Sequence, residues 1–275
     1  MQPNESPKPR NPLSETELAA FRRDGLVHPA YRLPADTLGD MRGALEELLV
    51  FTRDTPPESI VCPHVPGLNG LPEQVANKWL RLCTLPAIVD MVECVLGPDV
   101  ILWGSQVFCK PARTGLEVPW HQDGEYWPIR PLATCSVWIA LDKVDVENGA
   151  MRYVPGSHQQ QVLFPHAKSD QRDLALNEVL DPRYIDEGKV RYDELEAGQM
   201  SLHDVYLIHG SSANRSNRRR AGFVARYMPA TSHFDRALKA NQMANSVATK
   251  FSERPLYLLR GRDHTSKAHL ITVAA

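Results

Sequence analysis

Apolar residues recur at helical spacing through the first third of the chain and at strand spacing beyond it. Ser14, followed three residues on by Glu17, has the form of a capping box, and Leu18, Ala19 and Phe21 begin an apolar stripe that Gly25 ends. Leu38, Met41, Leu45, Leu48 and Leu49 keep the same period and predict a second helix over 36–51. Two more helices are predicted over 73–82 and 86–96, the latter with Pro86 in its first turn and Gly97 at its end. Between the second and third, Pro56, Pro57, Pro63, Pro66, Gly67, Gly70 and Pro72 predict a long loop over 55–72, either a lid or a passive connection.

From Asp99 the pattern changes to short runs of β-formers separated by turn residues: 100–110, 133–141, 150–154, 199–208 and 221–228. Repeated short strands predict a sandwich or barrel, with the N-terminal helices packed outside one sheet. No boundary or internal repeat divides the chain, so residues 1–275 are expected to form one domain, a helical buttress over about 14–97 and a β core over about 99–228. Beyond that, 235–244 has a helical pattern and 260–269 is polar.

Composition narrows the partners. Hydrophobic content of 43% and charged content of 23% describe an ordinary globule rather than a disordered chain. Lys+Arg 31 against Asp+Glu 33 gives a net charge of -2, so no basic field recommends nucleic acid or an anionic membrane, and a small molecule is the expected partner. The five cysteines are odd in number and form no C-x-x-C, which argues against a disulfide framework or thiolate zinc site. The start is polar and proline-rich, no run is long enough to cross a bilayer, and the last residues are not Ser-Lys-Leu. A cytoplasmic location is expected.

The chemistry begins in the stretch Pro119-Trp120-His121-Gln122-Asp123-Gly124-Glu125-Tyr126-Trp127. On an extended strand His121 and Asp123 share a face and can reach one ion. A third ligand must come from elsewhere: His209 is the best placed, and His203 is its competitor. Two histidines and a carboxylate make a facial triad, diagnostic of non-haem Fe(II) oxygenases, although the same donors can hold zinc beside an open water position. Arg220 supplies a planar fork that accepts a carboxylate bidentately, as a 2-oxo acid co-substrate requires. If Arg220 points inward, Gly222, Val224 and Arg226 share its face and Arg219 points away.

From about Trp103 to Met228, through the His121/Asp123 pair, the run Glu147-Asn148-Gly149-Ala150-Met151-Arg152-Tyr153-Val154-Pro155-Gly156-Ser157-His158 and the block from His209 to Arg220, the chain resembles the phytanoyl-CoA dioxygenase family of Fe(II)/2-oxoglutarate oxygenases. The resemblance implies a double-stranded β-helix, a cupin-like jelly roll whose mouth holds the metal. It implies His121, Asp123 and His209 as iron ligands, the Gly-Ser-Ser-Ala-Asn-Arg-Ser run favouring His209 over His203. Arg220 and Ser211 would anchor the distal carboxylate of 2-oxoglutarate, with Gln106 and Trp138 as further lining. The cofactors implied are Fe(II), 2-oxoglutarate and O2, with succinate and CO2 as coproducts. Because the carboxylate Asp123 is present, hydroxylation rather than halogenation is expected.

The substrate side is less defined. Tyr126 and Trp127 are candidates for a wall, where an aromatic face attracts an ammonium group by ~0.5–2 kcal/mol, or they simply pack. The expected substrate is a small polar or zwitterionic metabolite, such as an aminophosphonate or a compatible solute. An anionic group on it would need another buried cation, for which Lys110, Arg113, Arg152 and Arg226 are candidates. Glu147-Asn148-Gly149 reads as a structural turn in which Asn148 tolerates a left-handed conformation, and His158 and His166 as structural or surface groups. The rival readings are an acyl-CoA hydroxylase, a non-catalytic cupin-like ligand binder and a zinc hydrolase.

Overall fold

The computed structural model describes residues 12–171, 173–236, 254–265 and 270–273. Four helices come first: α1 (Glu15–Asp24), α2 (Ala35–Phe51), α3 (Glu73–Cys83) and α4 (Pro86–Leu96). In α1 the Ser14 hydroxyl accepts from the Glu17 N–H, and the Glu17 carboxylate accepts from the Ser14 N–H at 2.7 Å, satisfying two donors that the helix itself leaves orphaned.

The strands of the two main sheets are β1 (Leu26–Val27), β2 (Ile60–Val61), β3 (Val100–Lys110), β4 (Val118–His121), β5 (Cys135–Ala140), β6 (Met151–Tyr153), β7 (Arg191–Asp193), β8 (Met200–Asp204), β9 (His209–Ser211), β10 (Arg220–Pro229), β11 (Leu256–Leu258) and β12 (Leu270–Thr272). The larger sheet has the order β1-β8-β5-β10-β3-β11-β12, with β2 also on β3, and the smaller has the order β7-β6-β9-β4. Neighbours are antiparallel except for β11 with β12. The architecture is the jelly roll, mainly β with an N-terminal helical layer.

Strand alternation separates core from site. On β10, Ala221, Phe223, Ala225 and Tyr227 pack beneath the helices with Leu45, Leu48, Trp79, Leu82 and Ile88, each large apolar side chain contributing about 1.5–3 kcal/mol by burial. Arg220, Gly222, Val224 and Arg226 take the opposite, interior face. On β3 a bulge pairs Arg226 with Gly104 and Tyr227 with Leu102, leaving Trp103 as an extra residue. Before the bulge Val100 and Leu102 join the helix-side core, and after it Val107 and Cys109 do. Gln106, Phe108 and Lys110 therefore turn inward opposite Val224, Gly222 and Arg220.

Two stretches depart from the pattern expected of them. The strand expected over 199–208 stops at Asp204, whose Oδ1 accepts from the Tyr206 N–H at 2.8 Å and whose carbonyl accepts from Leu207 at 3.1 Å. That turn carries the chain from the larger sheet to the smaller, so His203 and His209 lie on different sheets. The loop expected over 55–72 is irregular for most of its length, but one short part of it pairs with the larger sheet. Ile60 and Val61 pair with Val107 and Gln106, the Cys62 N–H donates to Ser105, and the Cys109 N–H donates to Pro57, so the stretch around Ile60–Val61 is held along β3. The helical pattern over 235–244 lies beyond the described residues from 237 onward.

Candidate active site

His121 closes β4, His209 opens β9, and the two are direct partners across the smaller sheet, with ring centroids 4.2 Å apart. Asp123 does not continue the strand. It opens a short turn, Asp123–Tyr126, so the expected strand alternation is replaced by a reversal that brings Asp123 Oδ1 to 3.6 Å from His121 Nε2. One ligand atom each from His121, Asp123 and His209 lie within 4.8 Å of one another, and all three residues are buried. His121 donates Nδ1–H to the Pro119 carbonyl at 2.8 Å and His209 donates Nδ1–H to that of Leu207 at 2.9 Å. These bonds fix the tautomers and leave both Nε2 lone pairs free to ligate.

Electrostatics favour the ligating forms. Burial, with the neighbouring His121, pushes His209 down to about 3, so its imidazole is neutral. Burial drives Asp123 upward, but His121, His203, His209 and Arg226 more than reverse this and hold its carboxyl well below the usual range. His203, on β8, lies 3.7 Å from Asp123 Oδ2 and stands outside the three-residue cluster. It brackets the carboxylate from the larger sheet. Gln122, between the two candidate ligands, turns the other way: its amide donates to the Val162 and Tyr206 carbonyls at 2.9 and 2.7 Å, and its oxygen accepts from the Phe164 N–H at 2.8 Å. The sequence reading passed over Gln122, whose signal was its place between two residues that must share a face.

At one end of the interior Arg220 is 3% exposed and has no ion pair with a carboxylate among the described residues. Its Nη2 donates to the Gly149 carbonyl at 2.9 Å and to Ser211 Oγ at 3.5 Å, and its guanidinium lies 5.4 Å from the Trp138 ring. Burial lowers it to about 10, leaving it a cation at neutral pH. Lys110 Nζ donates to the same Ser211 Oγ at 2.7 Å, and burial, reinforced by Arg220, pushes it down to about 6. The sequence reading placed Lys110 only among unranked cations. Its alternation with Gln106 and Phe108 was the available clue.

Trp138 crosses Gly222 so closely that a Cβ there would lie 2.0 Å from Trp138 Cζ2, so this strand position requires glycine. Gly149, at φ +88°, places its carbonyl on Arg220, so the turn read as purely structural also touches the site. Asn148 is not left-handed; its side chain caps the turn, accepting from the Asp145 N–H at 2.9 Å and donating to Lys143 at 2.8 Å.

The other end is built around Arg226, whose Nη1 donates to Gln106 Oε1 at 3.3 Å. Trp127 lies beneath its guanidinium at 5.3 Å and Phe108 at 6.0 Å. Trp127 also packs edge-on against Trp103, with centroids 4.6 Å apart. Tyr126 is buried, its hydroxyl donating to the Glu178 carbonyl at 3.3 Å and its ring edge-on to His121 at 6.2 Å. Among the remaining candidates, Arg152 pairs with Glu117 at 2.8 Å and lies over Trp120, whereas Arg113 is exposed. His166 accepts from the Gln122 N–H, and the His158 ring lies 3.2 Å from the Arg22 carbonyl; both support backbone.

The residues fit an Fe(II) ion and a dicarboxylate. Two imidazoles and one carboxylate are the donor set of a facial triad, and a buried arginine with a serine hydroxyl offers donors to an acid that the described residues do not supply. A jelly roll enclosing those groups has the architecture of a non-haem Fe(II)/2-oxoglutarate oxygenase. The model of the Phytanoyl-CoA dioxygenase (PhyH) family matches residues 21–222, and the chain belongs to that family, which is Fe(II)- and 2-oxoglutarate-dependent.

Peroxisomal phytanoyl-CoA dioxygenase of Bos taurus is 30% identical over 169 residues, covering 58% of this chain and 49% of that protein. The chain thus spans about half the length of that relative. L-proline trans-4-hydroxylase of Streptomyces griseoviridis is 28% identical over 227 residues, covering 75% of this chain and 83% of that protein. Among solved structures, the apo form of the non-heme monooxygenase ThoJ superimposes with a TM-score of 0.67 at 26% identity, covering 93% of this chain and 86% of that one. No helix among the described residues is long and apolar enough to cross a membrane.

Proposed function

We propose that the chain is an Fe(II)- and 2-oxoglutarate-dependent hydroxylase of a small polar metabolite. The observation that carries this reading is one interior holding two imidazoles and a carboxylate within 4.8 Å of one another, together with a buried arginine that no described carboxylate neutralises. His121, Asp123 and His209 would hold the ion. Arg220 and Ser211 would receive the distal carboxylate of 2-oxoglutarate, with Trp138 lining the same end. When bound, Fe(II) and 2-oxoglutarate supply the oxidation by O2 that converts a substrate C–H to C–OH, releasing succinate and CO2.

The chain's own groups position and exclude. The backbone carbonyls of Pro119 and Leu207 hold the imidazoles in one tautomer, His203 faces the second oxygen of Asp123, and Tyr126 and Trp127 wall the interior beside the candidate ligands. The proline hydroxylase relative is matched over most of its own length and the acyl-CoA enzyme over about half, which supports a small polar substrate over an acyl-CoA ester. A zinc hydrolase would leave Arg220 without a purpose and would act without O2.

The test is anaerobic reconstitution with Fe(II) and 2-oxoglutarate, followed by visible charge-transfer absorption. The band should form in the native chain and be lost in both His209→Ala and Arg220→Ala. Admitting O2 should then yield succinate. No band from folded, iron-loaded protein would sink the reading.

A further inference from the structure

We infer that the substrate bears a carboxylate, and that Arg226 is the group that grips it. This rests on the hydroxylase reading above and names the class of molecule its site takes. Across the larger sheet His203, Ser136, Arg226 and Gly104 are in register, one row of the interior face. Arg220 and Lys110 form another row six residues away along β10, roughly 20 Å at strand rise. Val224, Gly222 and Trp138 fill the space between. The sheet thus carries a cation at each end, and a co-substrate anchored at Arg220 leaves Arg226 for a different anion.

Arg226 is 9% exposed, its Nε has no hydrogen-bond partner, and it makes no ion pair with a carboxylate among the described residues. Ser136 Oγ, beside it in the row, and His203 Nδ1 are likewise buried without a partner among the described residues. A buried guanidinium in this condition calls for an acid, and a planar fork fits a carboxylate best. The nearby negative charge of Asp123 is spent once that residue ligates a cation.

Of the other cations named from the sequence, Lys110 belongs to the Arg220 end, Arg152 pairs with Glu117, and Arg113 is exposed. The Trp127 face that Arg226 lies over is taken by that guanidinium. Gln106, bonded to Arg226, positions this end of the interior rather than the Arg220 end.

The experiment uses the full chain, loaded anaerobically with Fe(II) and 2-oxoglutarate, and reads thermal shift against a panel of the common amino acids, their N-acetyl derivatives and the matched primary amides. Acid and amide differ only at the carboxyl group. Wild type should be stabilised by one or more acids and by none of their amides. Arg226→Gln should weaken that binding by about tenfold or more, and Arg226→Lys, which keeps charge but not the fork, should fall between. Half-saturation by 2-oxoglutarate, read from the charge-transfer band, should stay within about twofold in both variants.

Three results would overturn the proposal: acids and amides acting alike, no acid binding at all, or Arg226→Gln weakening 2-oxoglutarate while sparing the acids. The panel is also run without iron and co-substrate. A missing band in wild type would then count against the hydroxylase reading alone, and the acid–amide contrast is judged separately.

Discussion

Along β10 alternate residues do opposite jobs. Ala221, Phe223, Ala225 and Tyr227 lie under the helices among apolar neighbours, whereas Arg220 and Arg226 point into the jelly roll, where burial disfavours their charge. One backbone ladder holds both faces. The outer face supplies the stability that lets the inner one keep unpaired cations, so substitutions on opposite faces of this one strand should separate stability from co-substrate affinity.

The largest stability effect is expected on the outer face. Phe223→Ala should destabilise the fold by about 3–5 kcal/mol, because Phe223 is fully buried and packs on Trp79 at a ring distance of 5.0 Å. Half-saturation by 2-oxoglutarate in the remaining folded protein should not change. On the inner face Arg220→Met should do the reverse, weakening 2-oxoglutarate by roughly 10–100-fold, the worth of a charged hydrogen bond of about 1.5–3 kcal/mol. Its melting temperature should hold or rise, since a buried charge is removed. A large fall in stability would erase the distinction between the faces.

Gly222→Ala should blur the two faces, because its Cβ would stand 2.0 Å from Trp138 and force that ring to move. A loss of about 1–3 kcal/mol is expected, accompanied by weaker 2-oxoglutarate binding. Stability lost without any change in affinity would remove Trp138 from the co-substrate end.

The smallest effect is placed away from both faces, at His28, whose Nε2 lies 2.6 Å from Asp193 Oδ1. Burial lowers its affinity for a proton, but the bond to Asp193 and that residue's charge outweigh this, so it titrates above its ordinary value. The pair's contribution is therefore fully present below about pH 6.5 and lost as pH rises through the higher folded value. His28→Ala should lower the melting temperature at pH 5.5 and barely at pH 9, by well under about 1 kcal/mol because the side chain is partly exposed.

The helices were legible because their signals are local: the Ser14/Glu17 box, the repeat of Leu38, Met41, Leu45 and Leu48, and the stop at Gly97. The strands were legible as runs, but their sheet membership was not. Asp204 ends one with a side-chain bond two residues ahead, and no periodicity shows that. His121 and Asp123 stood out by residue type and spacing, yet they converge through a turn rather than along a strand. Lys110 was harder, since its meaning lies in a hydroxyl 101 positions away on the other sheet. The pairing of Gln106 with Arg226 likewise depends on a partner 120 positions away and on a bulge between the two strands.

That bulge sets a reading frame for side chains. Removing the extra residue at Trp103 with the bulge itself retained would slip the ladder beyond it by one residue and exchange the faces of everything on that side of the break. Lys110 would turn under the helices and Cys109 into the interior, although no residue near the candidate ligands had been altered. The site is therefore as sensitive to the length of β3 as to its composition, and a relative with one residue more or fewer before Gln106 should be aligned by facing direction before its residues are compared with these.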